Sequence, residues 1–140
     1  MAASDSTLQG LAAEPFTKYL GVVDANDPKK KMQLQQCYTY LAAYYRAKGD
    51  NTNAAVYADK LGAYDPTAAA QIYSNIAYNY SKAKDRDNAL KFCQKSLSLN
   101  PNDSVAQQLV DYYKQVDAYN AKQKEYELKK KAYDKAVHGQ

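Results

Sequence analysis

The sequence predicts an all-α fold, an antiparallel helix-pair solenoid closed by one long C-terminal helix. Three observations carry this. The 140 residues include only 5 Gly and 4 Pro. Breakers that scarce, set among Ala, Lys, Gln and Leu, favour helices. Residues 37–66 align without a gap on residues 72–101, thirty-five positions on, and a fixed period of this size marks stacked supersecondary units. Residues 102–137 then run without a single Gly or Pro.

Ser4, Asp5 and Ser6 are N-cap types, and Ala12, Phe16, Tyr19, Leu20 and Val23 share one helical face. The spacing predicts a first helix over about 6–23, with "NDPKK" linking it to the next unit. In that unit Tyr38, Leu41, Ala42 and Tyr45 form an i, i+3, i+4, i+7 stripe. Gly49 suits the end of that helix and Asp50 caps the following one, which presents Ala54, Tyr57, Ala58 and Leu61 before "DP" stops it. The second unit repeats the pattern with Tyr73, Ile76, Ala77 and Tyr80, then Asp85 as cap, then Ala89, Phe92, Cys93, Ser96 and Leu97. Lys84 stands where the first unit has Gly49, so a strained turn is expected there. Alanines at 42, 54, 77 and 89 let antiparallel backbones approach closely, and the rings fill the space on either side.

"YLAAYYRAKGD" and "NALKFCQKSLSLNP" resemble the first and second helices of the tetratricopeptide repeat. The resemblance covers residues 34–102. It departs from the family pattern at Tyr38 and Tyr73, where Trp is usual, at Leu61 and Ser96, where Ala is usual, and by one extra residue between units. It implies a right-handed superhelix whose first helices line a concave groove. The organisation expected is a half-repeat over 1–28, two repeats over 29–102 and a capping helix over 103–140. A chain that opens on a second helix without a first reads as a piece of a longer protein, in preference to a natural half-repeat cap.

Much chemistry is excluded. The chain has no phosphate-binding Gly-rich loop, no nucleophile elbow and no zinc-protease motif, so an enzyme is not expected. Cys37, Cys93 and His138 make no metal-ligand set, and the cysteines read as small core residues. No cofactor is expected. A net charge of +4 is too mild for a nucleic-acid footprint, no apolar run reaches the ~20 residues of a membrane span, and "MAASDSTLQG" lacks the features of a signal peptide. With charged residues at 24% and the apolar set at 46%, the composition is that of a globular domain.

What remains is surface. By helical phase, Gln36, Thr39 and Arg46 in one unit, and Gln71, Ser74, Asn75, Tyr78 and Lys82 in the next, face the groove. This polar, mildly basic, partly aromatic lining suits a peptide or partner protein held through its backbone and one or two carboxylates. Taken singly these are ordinary solvated helix positions; as one face in a chain resembling this family they read as a binding groove. Chaperone-binding members of the family clamp a terminal carboxylate with Lys and Asn. The corresponding places here hold Thr39, Ala43 and Ser74, so no such clamp is expected.

The first half of the last helix carries Val105, Ala106, Leu109, Val110, Tyr112, Tyr113 and Val116, an apolar face broad enough to close the core. Beyond it only Tyr119, Tyr126, Tyr133 and Val137 continue the stripe, and the neighbouring d positions are Lys122 and Lys129. Such a heptad is an incomplete coiled-coil seam. A solvated extension ranks first, a docking ridge second, and a basic stripe for nucleic acid or lipid last, because Glu125, Glu127 and Asp134 dilute Lys129, Lys130 and Lys131. The alternative to groove binding is therefore architectural: a homodimer formed through the Tyr119–Tyr126–Tyr133 ridge or through the open N-terminal half-repeat.

Overall fold

A computed structural model of the chain describes residues 10–139. Its helices are α1 (Ala13–Val22), α2 (Lys31–Ala47), α3 (Asn51–Leu61), α4 (Pro66–Lys82), α5 (Arg86–Leu99) and α6 (Ser104–His138), with a 3-10 turn at Pro28–Lys30 before α2. No strand occurs among the described residues. The fold is an all-α solenoid of antiparallel pairs: α2 with α3, then α4 with α5. The pairs stack through α3 against α4 and α5 against α6, and α1 packs on α2. Helices α2, α4 and α6 therefore form one layer, with α1, α3 and α5 in the other.

Aspartates open most of these elements. Asp50, Asp65, Asp85 and Asp103 each accept a hydrogen bond from the backbone N–H three residues on, at the starts of α3, α4, α5 and α6. Each satisfies a helix donor that has no intrahelical partner. At α3 and α5 the same residue donates to the cap twice. Asn53 Nδ2 donates to Asp50 Oδ2 and Asn88 Nδ2 to Asp85 Oδ2, both at 2.7 Å.

The turn inside each pair is the same object built twice. Asp50 N–H reaches Tyr45 O at 2.9 Å, and Asp85 N–H reaches Tyr80 O at 2.9 Å. Both turns need one residue with positive φ. Gly49 takes it at 78°, and Lys84 takes it at 61°. A side chain at such a φ meets its own carbonyl, so the strain expected at Lys84 is present in the backbone.

The core runs along the seam between the layers. Leu41, Ala42, Ala54, Ala58, Leu61, Ile76, Ala77, Ala89 and Cys93 are fully buried. Ser96 is also buried, and its Oγ donates to Ala70 O at 2.9 Å. That bond removes the cost of an unpaired hydroxyl. Both cysteines are free and buried, without a metal-ligand group among the described residues.

The first helix differs from expectation. It starts at Ala13 rather than near Ser6; residues 6–9 lie outside the described residues, and Gly10 turns the chain at φ 92° just before it. The physical reason is Pro15. Proline lacks an N–H and clashes with the turn before it, so it is tolerated only in the first turn of a helix. Starting at Ala13 puts Pro15 in that turn, whereas a helix from residue 6 would have held it mid-helix. Pro66 plays a related part: α3 has already stopped at Leu61, ahead of the expected "DP", and Pro66 instead stands at the first position of α4, behind the Asp65 cap.

Candidate interaction surface

Helices α2, α4 and α6 present their outward faces on one side of the molecule, and two clefts open along it. One, of about 480 Å³, is lined by Met32, Gln35, Gln36, Thr39 and Tyr40 on α2. The other, of about 380 Å³, lies between α4 and α6 and is lined by Asn75, Tyr78, Val105, Gln108 and Leu109. The sequence-predicted residues divide between these places. Gln36 and Thr39 are exposed and line the first cleft; Asn75 and Tyr78 line the second. Gln71 and Lys82 lie on the same helix, α4. Thr39 Oγ1 is turned back onto its own helix, donating to Gln35 O at 2.8 Å.

One expectation needs correction. Ser74 does not face the groove: it is 1% exposed, and its Oγ donates to Gln71 O at 3.0 Å and toward Asp103 Oδ2 at 3.4 Å. It sits in the α4–α6 seam because α6 crosses there with its capping aspartate. Arg46 is half-buried near the end of α2, and its Nε is enclosed without a hydrogen-bond partner.

The α4–α6 cleft is the more structured of the two. Tyr78 is 50% exposed, and Lys82 Nζ lies 5.0 Å from its ring centroid, a cation–π distance. Further along the same pair of helices a second hollow is lined by Ser81, Lys84, Arg86, Tyr112, Tyr113 and Val116. Tyr113 anchors this end. Its hydroxyl lies 2.8 Å from Ser81 Oγ, the Arg86 guanidinium stacks on its ring at 5.1 Å, and Tyr112 meets it edge-on. Arg86 also grips Asp117 with two bonds of 2.6 and 2.5 Å. This pairing holds the Asp117 carboxyl below its usual range. The α6 wall is thus pinned while Tyr112, 55% exposed, projects from it.

Val105, Gln108, Leu109 and Tyr112 escape the sequence reading. On a capping helix, Val105, Leu109 and Tyr112 read as parts of one broad core face. The signal was the width of that face, which is greater than one packing seam can bury.

A two-layer array of stacked antiparallel helix pairs defines a helical-repeat fold. Residues 70–103 match the family model for the tetratricopeptide repeat. No curated protein and no solved structure matches the chain. Repeats of this kind mediate protein–protein interaction and carry no catalysis of their own. No helix among the described residues is long and apolar enough to cross a membrane.

Proposed function

We propose that the protein is a non-enzymatic interaction module that holds a peptide segment of a partner protein on its α2–α4–α6 face. The observation that supports this best is the cleft between α4 and α6. It combines an aromatic anchor, Tyr78, with apolar walls from Val105 and Leu109, and with two side-chain amides, Asn75 and Gln108. An amide offers both a donor and an acceptor, so it pairs with a peptide backbone whatever the sequence. Exposed tyrosines give contact area at low entropic cost and dominate many binding surfaces. Lys82, above Tyr78, supplies a cation for an acidic residue of the ligand, and Gln36, Thr39 and Gln71 extend the polar track toward α2.

The test begins with ligands selected from a random peptide library against the whole chain, followed by calorimetry. Tyr78→Ala combined with Gln108→Ala is expected to weaken the selected peptides at least about tenfold. Gln94→Ala, exposed on α5 in the other layer, is expected to leave them unchanged. Peptides that bind the double variant as tightly as the parent would place the site elsewhere.

A further inference from the structure

Beyond Asp117, which Arg86 still holds, the last helix leaves the solenoid. Every residue from Asp117 to Gly139 is exposed. Tyr119, Tyr126 and Tyr133 stand 62%, 63% and 65% exposed along one side of it. Their seven-residue spacing drifts only about 20° per step on a straight helix, so they form one shallow ridge. Placed at a positions of a heptad, they leave Lys122, Lys129 and Ala136 at d. A ridge of bare phenol rings separated by lysines is an odd surface for a helix meant only to be wet.

We infer that this arm pairs with the same arm of a second copy of the chain, in antiparallel orientation, each d-position lysine lying over a tyrosine of the other copy.

The orientation comes from what the two packings put face to face. A parallel pair sets like layers together. Lys122 would meet Lys122 and Lys129 would meet Lys129 in the seam, two like-charge contacts taken partly out of water. An antiparallel pair sets a against d. Tyr126 then meets Lys129, Tyr133 meets Lys122 and Tyr119 meets Ala136, each contact made twice by the two-fold axis. No lysine faces a lysine. On the flanks, Glu125 comes beside Ala132 and Lys130 beside Gln123, again without a like-charge pair.

The chain already makes the contact this arrangement requires. Lys48 lies 4.9 Å from the Tyr44 centroid, Lys82 5.0 Å from Tyr78 and Lys95 5.0 Å from Tyr73. Lys129 is also neutralised in place by Glu125 at 2.9 Å along its own helix, which reduces the cost of covering it. The register fits the arm as well. With Tyr126 against Lys129, Asp117 falls opposite His138, the last helical residue. The two free arms then overlap along their length, and the solenoids stand clear of each other at opposite ends.

The area sets the strength. A tyrosine buries on the order of 200 Å². Six rings, each about two-thirds exposed, with the lysine stems beside them, come to roughly 1,000 Å², the lower edge of a specific interface. The expected product is a weak dimer that forms with concentration.

Sedimentation equilibrium of the full chain from about 1 µM to 1 mM reads this directly. The expected result is a monomer–dimer equilibrium. Tyr126→Ser with Tyr133→Ser should raise its dissociation constant at least about tenfold, while thermal unfolding of the solenoid stays the same, since both rings are exposed. For orientation, copies bearing Gln123→Cys are mixed with copies bearing Lys130→Cys and treated with a short bis-maleimide. The native Cys37 and Cys93 are buried, and the parent chain serves as the control for them. The antiparallel pair gives a mixed cross-link between positions 123 and 130. A monomer throughout the range, or a dimer indifferent to the Tyr variants, overturns the inference. So does efficient cross-linking of Glu125→Cys to Lys130→Cys in place of the 123–130 product, because that is the neighbour pair of a parallel dimer.

Discussion

The rings of Tyr45 and Tyr57 lie 5.8 Å apart and within 5° of parallel, joining α2 to α3. Thirty-five residues on, Tyr80 and Phe92 join α4 to α5 at 5.7 Å and 16°. The same clasp closes both hairpins near their turns, and Phe92 shows that it needs no hydroxyl on the second helix. Tyr80→Ala should therefore destabilise the domain by roughly 2–3 kcal/mol, somewhat less than the loss of a fully buried ring. Tyr57→Phe should cost less than about 1 kcal/mol, because the clasp is made by the ring face and not by the hydroxyl. Urea midpoints measure both. A Tyr80→Ala midpoint equal to the parent's would mean that the repeat is held by its alanine crossings alone.

Much of this was legible in the residues. The clasp positions, the alanine crossings and the caps at Asp50 and Asp85 emerge from one alignment, because a repeat states each constraint twice. The long last helix was legible from the want of Gly and Pro. What was not legible has particular causes. The start of α1 was hidden because Ser4, Asp5 and Ser6 look like caps, and the rule that decided the matter was the position of Pro15. Helical phase within its own helix puts Ser74 in the groove. Phase says nothing of a neighbouring helix, and α6 crosses at that point with Asp103. The α6 side of the groove was hidden for the same reason: a broad apolar face does not say which of its edges the next layer will cover.

The turn at Lys84 gives the sharpest energetic test of the repeat. Gly49 and Lys84 hold the same hydrogen bonds with φ of 78° and 61°. A non-glycine residue costs about 1–2 kcal/mol in this region, and part of that is offset by the smaller entropy it has to lose from the unfolded state. Lys84→Gly should accordingly stabilise the domain by about 0.5–1 kcal/mol. Gly49→Lys should destabilise it by a similar amount. Thermal and urea unfolding check the signs, and the reading fails if both changes move stability in the same direction.

Along the α4–α6 surface, Tyr78 and Tyr112 are both half-exposed, in neighbouring hollows on the two helices. Neither is needed to seal the core, so replacing either should separate binding from folding. Tyr112→Ala is expected to leave the unfolding free energy within about 0.5 kcal/mol of the parent's. It should weaken a groove-selected peptide less than Tyr78→Ala does, since Tyr78 stands in the cleft with both amides. Calorimetry on the two variants with one peptide ranks them; the reverse order would move the centre of the site toward Arg86.

Alkaline pH should unfold the protein earlier than its modest charge suggests. The Tyr73 hydroxyl donates to Asp59 Oδ1, and Lys95 joins the same carboxylate at 3.0 Å. Burial first, and then the bond to Asp59 and its charge, push the Tyr73 hydroxyl well above its ordinary range. Burial also raises Tyr38, Tyr57 and Cys37, and burial with the charge of Asp103 pushes Cys93 up to about 11. In the unfolded chain thiols release protons near about pH 8.5 and tyrosines near about pH 10. Above those values the unfolded state binds fewer protons than the native state, so stability must fall as pH rises. The contribution is whole below about pH 8.5 and is eroded as pH climbs through the native values. Urea midpoints from about pH 7 to 11 should therefore decline in two stages. Cys93→Ala should flatten the first and Tyr73→Phe the second, beyond any slope that the lysines contribute to all variants alike. A Tyr73→Phe profile parallel to the parent's above about pH 10 would mean that this phenol ionises as freely in the fold as in water.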